Sequence, residues 1–246
     1  MQLHVLNSGS KGNCYLLTSL TGEVLIIECG VRFDTIKKAL NFNITDVSGC
    51  IFTHEHKDHS KGLRELLMAG IDCYTSKGTI DMCGIKHHRL HEVQKQKEFI
   101  VGSFKVIAFH VIHDCAEPLG FLINHKECGN VLFITDSAYI NYKFPNLNNI
   151  IIEANYSLRK LEDKIYNGNT LEFLGVRIIN NHMSLETCLD VLRNNDLKMV
   201  NNILLIHLSD SNSDEVLFKQ EVSDLTGKIV NIANKGLVIN FDKEPF

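Results

Sequence analysis

Apolar residues in this chain fall into short, dense runs separated by polar turns. Ten of these runs, at 3–6, 15–18, 24–27, 50–52, 104–109, 120–123, 131–134, 150–152, 203–206 and 237–240, read as strands. Between them, the segments 33–40, 61–68, 170–179, 185–193 and 214–225 repeat apolar residues at i, i+3 and i+4 and read as amphipathic helices. Closely spaced strands open the chain, and strands alternating with helices follow. That order predicts an α/β (α+β) protein with helices packed outside more than one sheet. The Asn-rich stretches 141–149 and 194–202 read as loops. No Pro- or Ser-rich linker divides the 246 residues, so a single domain over 1–246 is expected.

Composition narrows the class. Hydrophobic residues make up 44% and charged residues 22%, which is globular rather than disordered. A net charge of −4 supplies no global basic field, so a nucleic-acid substrate would need a local groove. No segment approaches the ~18 apolar residues of a membrane span, and residues 1–7 lack the cationic start and apolar stretch of an export signal. A soluble, cytoplasmic protein without membrane contact is the expectation. The eight cysteines are scattered without a CxxC pair, and several lie inside apolar runs, as suits reduced thiols in a cytosol.

The chemistry concentrates where Ser48-Gly49-Cys50-Ile51-Phe52-Thr53, a buried-strand pattern, runs into His54-x-His56-x-Asp58-His59. In extended chain, residues i and i+2 project to the same side, so His54 and His56 can grip one metal together. Asp58 and His59, on the turn that follows, can serve a second. Imidazole with carboxylate suits zinc, and also manganese or iron. Three more candidates follow strand-like runs: His113, Asp136 and His207. The carboxylate of Asp136 has two oxygens and can bridge two ions. By contrast, His87, His88 and His91 lie in a basic stretch with Lys86 and Arg89. His110 lies inside a strand, and His4 and His125 occupy ordinary strand or turn positions.

The order HxHxDH, then His113, Asp136 and His207, resembles the signature of the metallo-β-lactamase fold superfamily over nearly the whole chain. More narrowly, several motifs are similar to the YycJ-like branch, which is related to ribonuclease Z and to cyclic phosphodiesterases of phosphonate metabolism. They are Asn7-Ser8-Gly9-Ser10-Lys11-Gly12-Asn13, His113-Asp114-x-x-Glu117-Pro118-x-Gly120-Phe121, Thr135-Asp136-Ser137, Ile152-Glu153-Ala154-Asn155 and His182-Met183-Ser184. The resemblance implies a four-layer αββα sandwich with metals at one edge between the sheets. It implies His54, His56 and His113 on one divalent ion, Asp58, His59 and His207 on the other, and Asp136 between them. Oxygen-reducing diiron members usually carry Glu where this chain has His56, so the resemblance implies a hydrolase. The late motif is usually Gly-His-Leu-Ser; here Asn181-His182-Met183-Ser184 keeps the imidazole and the hydroxyl but changes the preceding backbone. The exosite arm of ribonuclease Z is not apparent.

Two ions ~3.5–4 Å apart that share a water deprotonate it near neutral pH and stabilise charge on an attacked phosphate. The expected function is therefore phosphodiester hydrolysis by a dinuclear zinc or manganese centre. The YycJ resemblance implies a DNA-exonuclease-like nuclease acting on nucleic acid (DNA or RNA). A phosphodiesterase for a small cyclic or mononucleotide diester is the near alternative, and a glyoxalase-type thioesterase the distant one. Asp58 is expected to orient the nucleophile or receive its proton, and His182 to contact the phosphate or protonate the leaving oxygen. The opening loop offers backbone N–H groups, so Ser10, Lys11 and Asn13, with the late Ser184, are candidate phosphate contacts. The same loop also reads as a tight turn between two strands. Glu153 and Asn155 either buttress the cleft or end a strand.

Overall fold

Side chains alternate across a strand, and that alternation sorts the apolar runs into three cores. Leu3, Val5, Leu17, Leu25, Ile27 and Ile51 enter one core together with Val106, Phe121, Phe133, Ile151 and Leu204. The intervening Leu16, Ile26, Cys50 and Phe52 pack the opposite way, against Ile36, Leu63, Leu66 and Leu67. On the far side, Leu132, Ile150, Ile152, Ile203 and Leu205 meet Leu185, Leu189, Phe218 and Val222. Strands with both faces buried read as unbroken hydrophobic runs, which is why these were visible in the sequence.

Residues 1–244 are described by the computed structural model; the last two residues of the expected domain, Pro245 and Phe246, lie outside the described residues. The first sheet is built from β1 (Gln2–Asn7), β2 (Cys14–Thr18), β3 (Val24–Ile27), β4 (Val47–Ile51), β5 (Cys73–Thr75) and β6 (Leu90–Glu92) in sequential order. The second contains β7 (Glu98–Val101), β8 (Phe104–His110), β9 (Leu119–His125), β10 (Gly129–Ile134), β11 (Leu147–Glu153), β12 (Asn202–Ile206) and β13 (Ile229–Ile232), also in sequential order. The last strand, β14 (Val238–Asn240), returns to the first sheet and pairs antiparallel with β1. Outside the first sheet lie α1 (Phe33–Ala39), the one-turn α2 (Lys57–Ser60), α3 (Leu63–Met68) and α4 (Lys77–Cys83); α5 (Leu158–Tyr166), α6 (Glu172–Asn181), α7 (Leu185–Arg193) and α8 (Glu215–Thr226) follow in the second half. The result is the expected αββα sandwich. Among the described residues, no helix is long and apolar enough to cross a membrane.

The structure corrects the sequence reading at several elements. Strands β5, β6, β7 and β13 and helices α4 and α5 were not anticipated, and the supposed loop 141–149 ends inside β11. Strand β4 stops at Ile51, so Phe52 and Thr53 already belong to the loop that carries the histidines. Strands β3 to β6 and β10 to β13 run parallel within their sheets. Their carboxyl ends open into loops, the usual place for a ligand site in a parallel sheet.

Three of these loops are stitched together beneath that edge. Asn13 N donates to Asp58 O at 2.7 Å, Gly30 N to Asn13 O at 2.9 Å, and Cys29 N to His59 O at 2.9 Å. Gly30 is required there, since a Cβ would lie 1.6 Å from Asp58 O and 2.8 Å from Asn13 N. Gly30→Ala is therefore expected to destabilise the fold by about 3 kcal/mol, as overpacking at a closed junction does, and to displace Asp58 and His59. Urea unfolding together with metal content checks this; a wild-type midpoint would contradict it.

Candidate metal centre

The site is assembled from strand ends. The loop after β4 carries His54 and His56, and the one-turn α2 that follows carries Asp58 and His59; His113 follows β8, Asp136 follows β10, and His207 follows β12 directly. Glu28 directly follows β3. Three of these residues adopt left-handed backbone, with φ of 45° at Asp136, 54° at His207 and 64° at Glu28. Such a conformation costs a non-glycine residue ~1–2 kcal/mol. Strain of this kind persists where surrounding structure fixes it, commonly at a functional site.

Two groups of donor atoms converge, and a third, Asp136, Glu153, His182 and His207, overlaps the second. His54 Nε2 and His113 Nε2 lie 3.0 and 3.1 Å from His56 Nδ1. Tetrahedral zinc holds nitrogen ligands about 3.3 Å apart, so this spacing suits ligands around one ion. In the second group, His59 Nε2 lies 3.4 Å from Asp58 Oδ2 and 2.9 Å from Asp136 Oδ2, while His207 Nε2 lies 3.5 Å from Asp58 Oδ2 and 3.4 Å from Asp136 Oδ1. Asp136 Oδ2 also stands 3.5 Å from His54 Nε2 and 3.8 Å from His113 Nε2, so one oxygen faces both groups. His207 Nε2 is buried and has no hydrogen-bond partner. A buried polar atom without a partner is costly, and here it points at two carboxylates, as a metal ligand would.

Electrostatics divide the groups. Burial foremost pushes the His54 and His113 imidazoles below their ordinary pKa and favours the neutral form that binds metal. Burial works against charge on Asp136, but the His207 and His59 imidazoles outweigh it and hold the carboxyl well below its usual range. The Asp58 carboxyl is likewise depressed, with burial outweighed by His207 and His59. Conversely, Asp136 and Glu28 overcome burial to raise His59 well above its usual value, and Asp136 with Asp58 lifts His207 to about 9. Buried carboxylates thus draw compensating positive charge into this half of the site, which protons or divalent cations can supply.

Outer partners fix four of the imidazoles by their other ring nitrogen, as metal-binding histidines require. Thr53 Oγ1 lies 2.9 Å from His54 Nδ1, Asn181 O 3.0 Å from His113 Nδ1, and both Asn155 Nδ2, at 3.0 Å, and Glu153 Oε1, at 3.4 Å, face His207 Nδ1. Glu28 Oε2 faces His59 Nδ1 at 3.3 Å, a charge contact lacking good hydrogen-bond alignment. Glu153 is fully buried and takes N–H bonds from Ser137 and Met183, so its orientation is set by backbone. Its Oε1 also receives His182 Nδ1 at 2.8 Å. Burial opposes charge on His182, yet Glu153 and Asp136 push its pKa up to about 10.

All seven expected ligands and His182 therefore meet at one edge between the sheets. Of these, His56, Asp58, His113, Asp136, His182 and His207 line a cleft of about 170 Å³ whose rim includes Ser10, Asp114 and Arg177. A neighbouring hollow of about 310 Å³ shares Ser10, His182 and His207 with it.

The other expected phosphate contacts are placed differently. Lys11 is exposed and pairs with Asp210 Oδ2 at 3.2 Å. Asn13 is fully buried and absent from the cleft lining, its Nδ2 3.1 Å from His59 Nε2, the same nitrogen that faces the carboxylates. Ser184 is buried as the N-cap of α7, its Oγ accepting from Thr187 N at 3.1 Å. Asn155 Nδ2 donates to His207 O at 2.7 Å and buttresses that turn. His91 binds Asp72 Oδ1 at 2.7 Å and stacks on Tyr74, and it joins none of the metal-capable groups found among the described residues. Glu28 and Asn181 were missed. A lone glutamate ending an apolar strand was the available signal for Glu28, and the departure from the usual glycine was the signal for Asn181.

Comparison with known proteins agrees with this arrangement. The family model described as "Beta-lactamase superfamily domain" matches residues 29–207. Exodeoxyribonuclease YycJ of Bacillus anthracis is 30% identical over 179 residues, covering 65% of this chain and 66% of its own length, slightly under two thirds. The metallo-β-lactamase fold protein YhfI of Bacillus subtilis superposes with a TM-score of 0.74 at 16% identity, over 97% of this chain and 99% of its own. The short form of human tRNase Z gives 0.66 at 16% identity, over 98% and 99%. At such identities the two structures speak for the fold alone. With the family model spanning most of the sequence and the sandwich and His/Asp clusters in place, the chain belongs to the metallo-β-lactamase fold group of the β-lactamase superfamily.

Proposed function

We propose that residues 1–246 work as one dinuclear metal-dependent phosphodiester hydrolase acting on nucleic acid, with DNA-exonuclease-like activity, in the cytoplasm. The observation that carries the proposal is Asp136 Oδ2, held within 3.8 Å of ligand nitrogens from both groups. His54, His56 and His113 would hold one ion, Asp58, His59 and His207 the other, with Asp136 shared. Zinc or manganese suits this donor set. Bound ions there supply Lewis acidity, which acidifies water and neutralises phosphate charge.

The remaining chemistry belongs to the chain. Asp58 borders the cleft and orients the attacking water through its free carboxylate edge. His182 lines the same cleft, is held by Glu153 through Nδ1, and keeps Nε2 to protonate the leaving oxygen. The neighbouring hollow gives room to the nucleotide beside the reacting phosphate. The name of the B. anthracis relative supports DNA as substrate. Eight free cysteines, six of them buried, suit a reducing compartment.

The test is hydrolysis by zinc- or manganese-loaded protein of bis-p-nitrophenyl phosphate, end-labelled single- and double-stranded DNA, RNA, a cyclic nucleotide and a thioester. DNA shortened stepwise from an end is the expected result. Turnover of the thioester alone would overturn the proposal, and turnover of small diesters with DNA left intact would move it to the small-substrate alternative.

A further inference from the structure

Helix α6 walls one side of the cleft, turning Leu174, Arg177, Ile178 and Asn181, at i, i+3, i+4 and i+7, to one face. Arg177 is the one Lys or Arg among the residues that line the cleft. Its guanidinium has a loose partner: Nη2 lies 3.5 Å from Asp114 Oδ2, with side-chain exposures of 68% and 42%. An exposed pair at that distance binds weakly, and a single contact leaves most of the five-donor fork free.

The backbone that carries this fork is nonetheless tied to the metal-ligand candidate His113. Asn181 Oδ1 accepts from Asp114 N at 2.8 Å, Asn181 Nδ2 donates to Arg177 O at 2.9 Å, and Asn181 O faces His113 Nδ1 at 3.0 Å. The other oxygen of Asp114 is 3.6 Å from His113 Nε2, which puts the guanidinium within about 9 Å of a ligand atom. That reach covers the neighbour of a phosphate seated on the ligands. Asn181 is the tie that makes His113, Asp114 and α6 one unit.

We propose that Arg177 forms a second phosphate subsite, gripping the phosphate next to the scissile one in a nucleic-acid strand. The inference rests on the phosphodiesterase reading above and deepens it, since it selects a substrate with at least two phosphates over a lone diester. A guanidinium suits this role because its planar fork matches two phosphate oxygens. Asp114 holds one edge of the fork and leaves the other toward the cleft.

Arg177→Ala and Arg177→Lys test it. In the metal-loaded protein, Arg177→Ala is expected to lower kcat/KM for a single-stranded oligonucleotide at least tenfold more than for bis-p-nitrophenyl phosphate, mainly through KM. Arg177→Lys is expected to recover part of that loss. In EDTA, where cleavage is blocked, anisotropy of a labelled oligonucleotide is expected to show a plot of log K against log salt that is shallower by about 0.7, one phosphate contact on a single strand. Equal losses on both substrates, or an unchanged salt slope, would overturn the inference while leaving the phosphodiesterase reading intact. A wild-type protein inactive on both phosphodiesters would overturn that reading and the subsite with it.

Discussion

Asp136→Asn is expected to lower turnover on the order of a thousandfold or more and to take metal content from two ions per chain to one or none. The carboxylate oxygen Oδ2 lies 2.9 Å from His59 Nε2, 3.5 Å from His54 Nε2 and 3.8 Å from His113 Nε2, so it stands between the two groups. An amide keeps the shape but removes the charge. It also risks presenting N–H donors to atoms that must themselves be free to ligate. The charge matters because His59 and His207 owe their raised pKa largely to this carboxylate. Plasma emission for metal and initial rates on bis-p-nitrophenyl phosphate are the measurements. A variant with two ions and near-normal rate would remove Asp136 from the centre.

His182→Ala is expected to act on a different step. It should lower turnover about 10²- to 10³-fold, the usual weight of one general acid, while metal content stays near two. His182 lines the cleft and shares a metal-capable cluster with Asp136, Glu153 and His207, but its Nδ1 is taken by Glu153 Oε1 at 2.8 Å and it is not one of the donors of the two groups that meet at Asp136 Oδ2, so its removal is expected to leave those donors in place. The loss should be larger for DNA, whose leaving sugar oxygen needs a proton, than for bis-p-nitrophenyl phosphate, whose phenolate leaves without one. It should appear in kcat rather than KM, which separates it from Arg177. Glu153→Gln should follow in the same direction, since Glu153 Oε1 receives His182 Nδ1 at 2.8 Å. Disappearance of both ions from His182→Ala would show a ligand instead and end the leaving-group assignment.

Much of this centre was legible in the sequence because its ligands follow apolar strands. His207 after Ile203-Leu204-Leu205-Ile206 and Asp136 after Val131-Leu132-Phe133-Ile134 sit where parallel strands deliver side chains to one edge. Their neighbours were harder to read. Asn13 and Glu28 are far from His59 along the chain, and only the junction at Gly30 brings all three together. Asn13 looked like a phosphate contact because its loop is glycine-rich; burial turned it inward instead. Ser184 looked similar, but the start of α7 claims its hydroxyl as a cap.

Elements were lost for equally physical reasons. Strand β6 is only Leu90-His91-Glu92, too short to show a period, and β7 is a four-residue edge strand. Helix α5 places Leu158, Leu161 and Ile165 at i, i+3 and i+7, a stripe the sequence did offer, although among so many charges only Leu161 is buried. Helix α6 was anticipated from its apolar spacing, yet Phe173 and Val176 remain 66% and 50% exposed. Its functional face, Arg177 and Asn181, was polar and therefore silent in that pattern.

Whether the buried imidazoles and carboxylates hold two ions is read by calorimetric titration of zinc or manganese into metal-free protein at pH 7.5, in buffers of different ionisation enthalpy. His207, raised to about 9, is protonated at that pH in the folded metal-free protein, and His59 is raised well above its ordinary value as well. An ion must displace those protons to reach the ring nitrogens, so uptake releases protons and tightens as pH rises toward 9. The predicted result is two ions per chain with net release of about one to two protons. A single ion per chain, or binding of two with no proton release, would contradict the account.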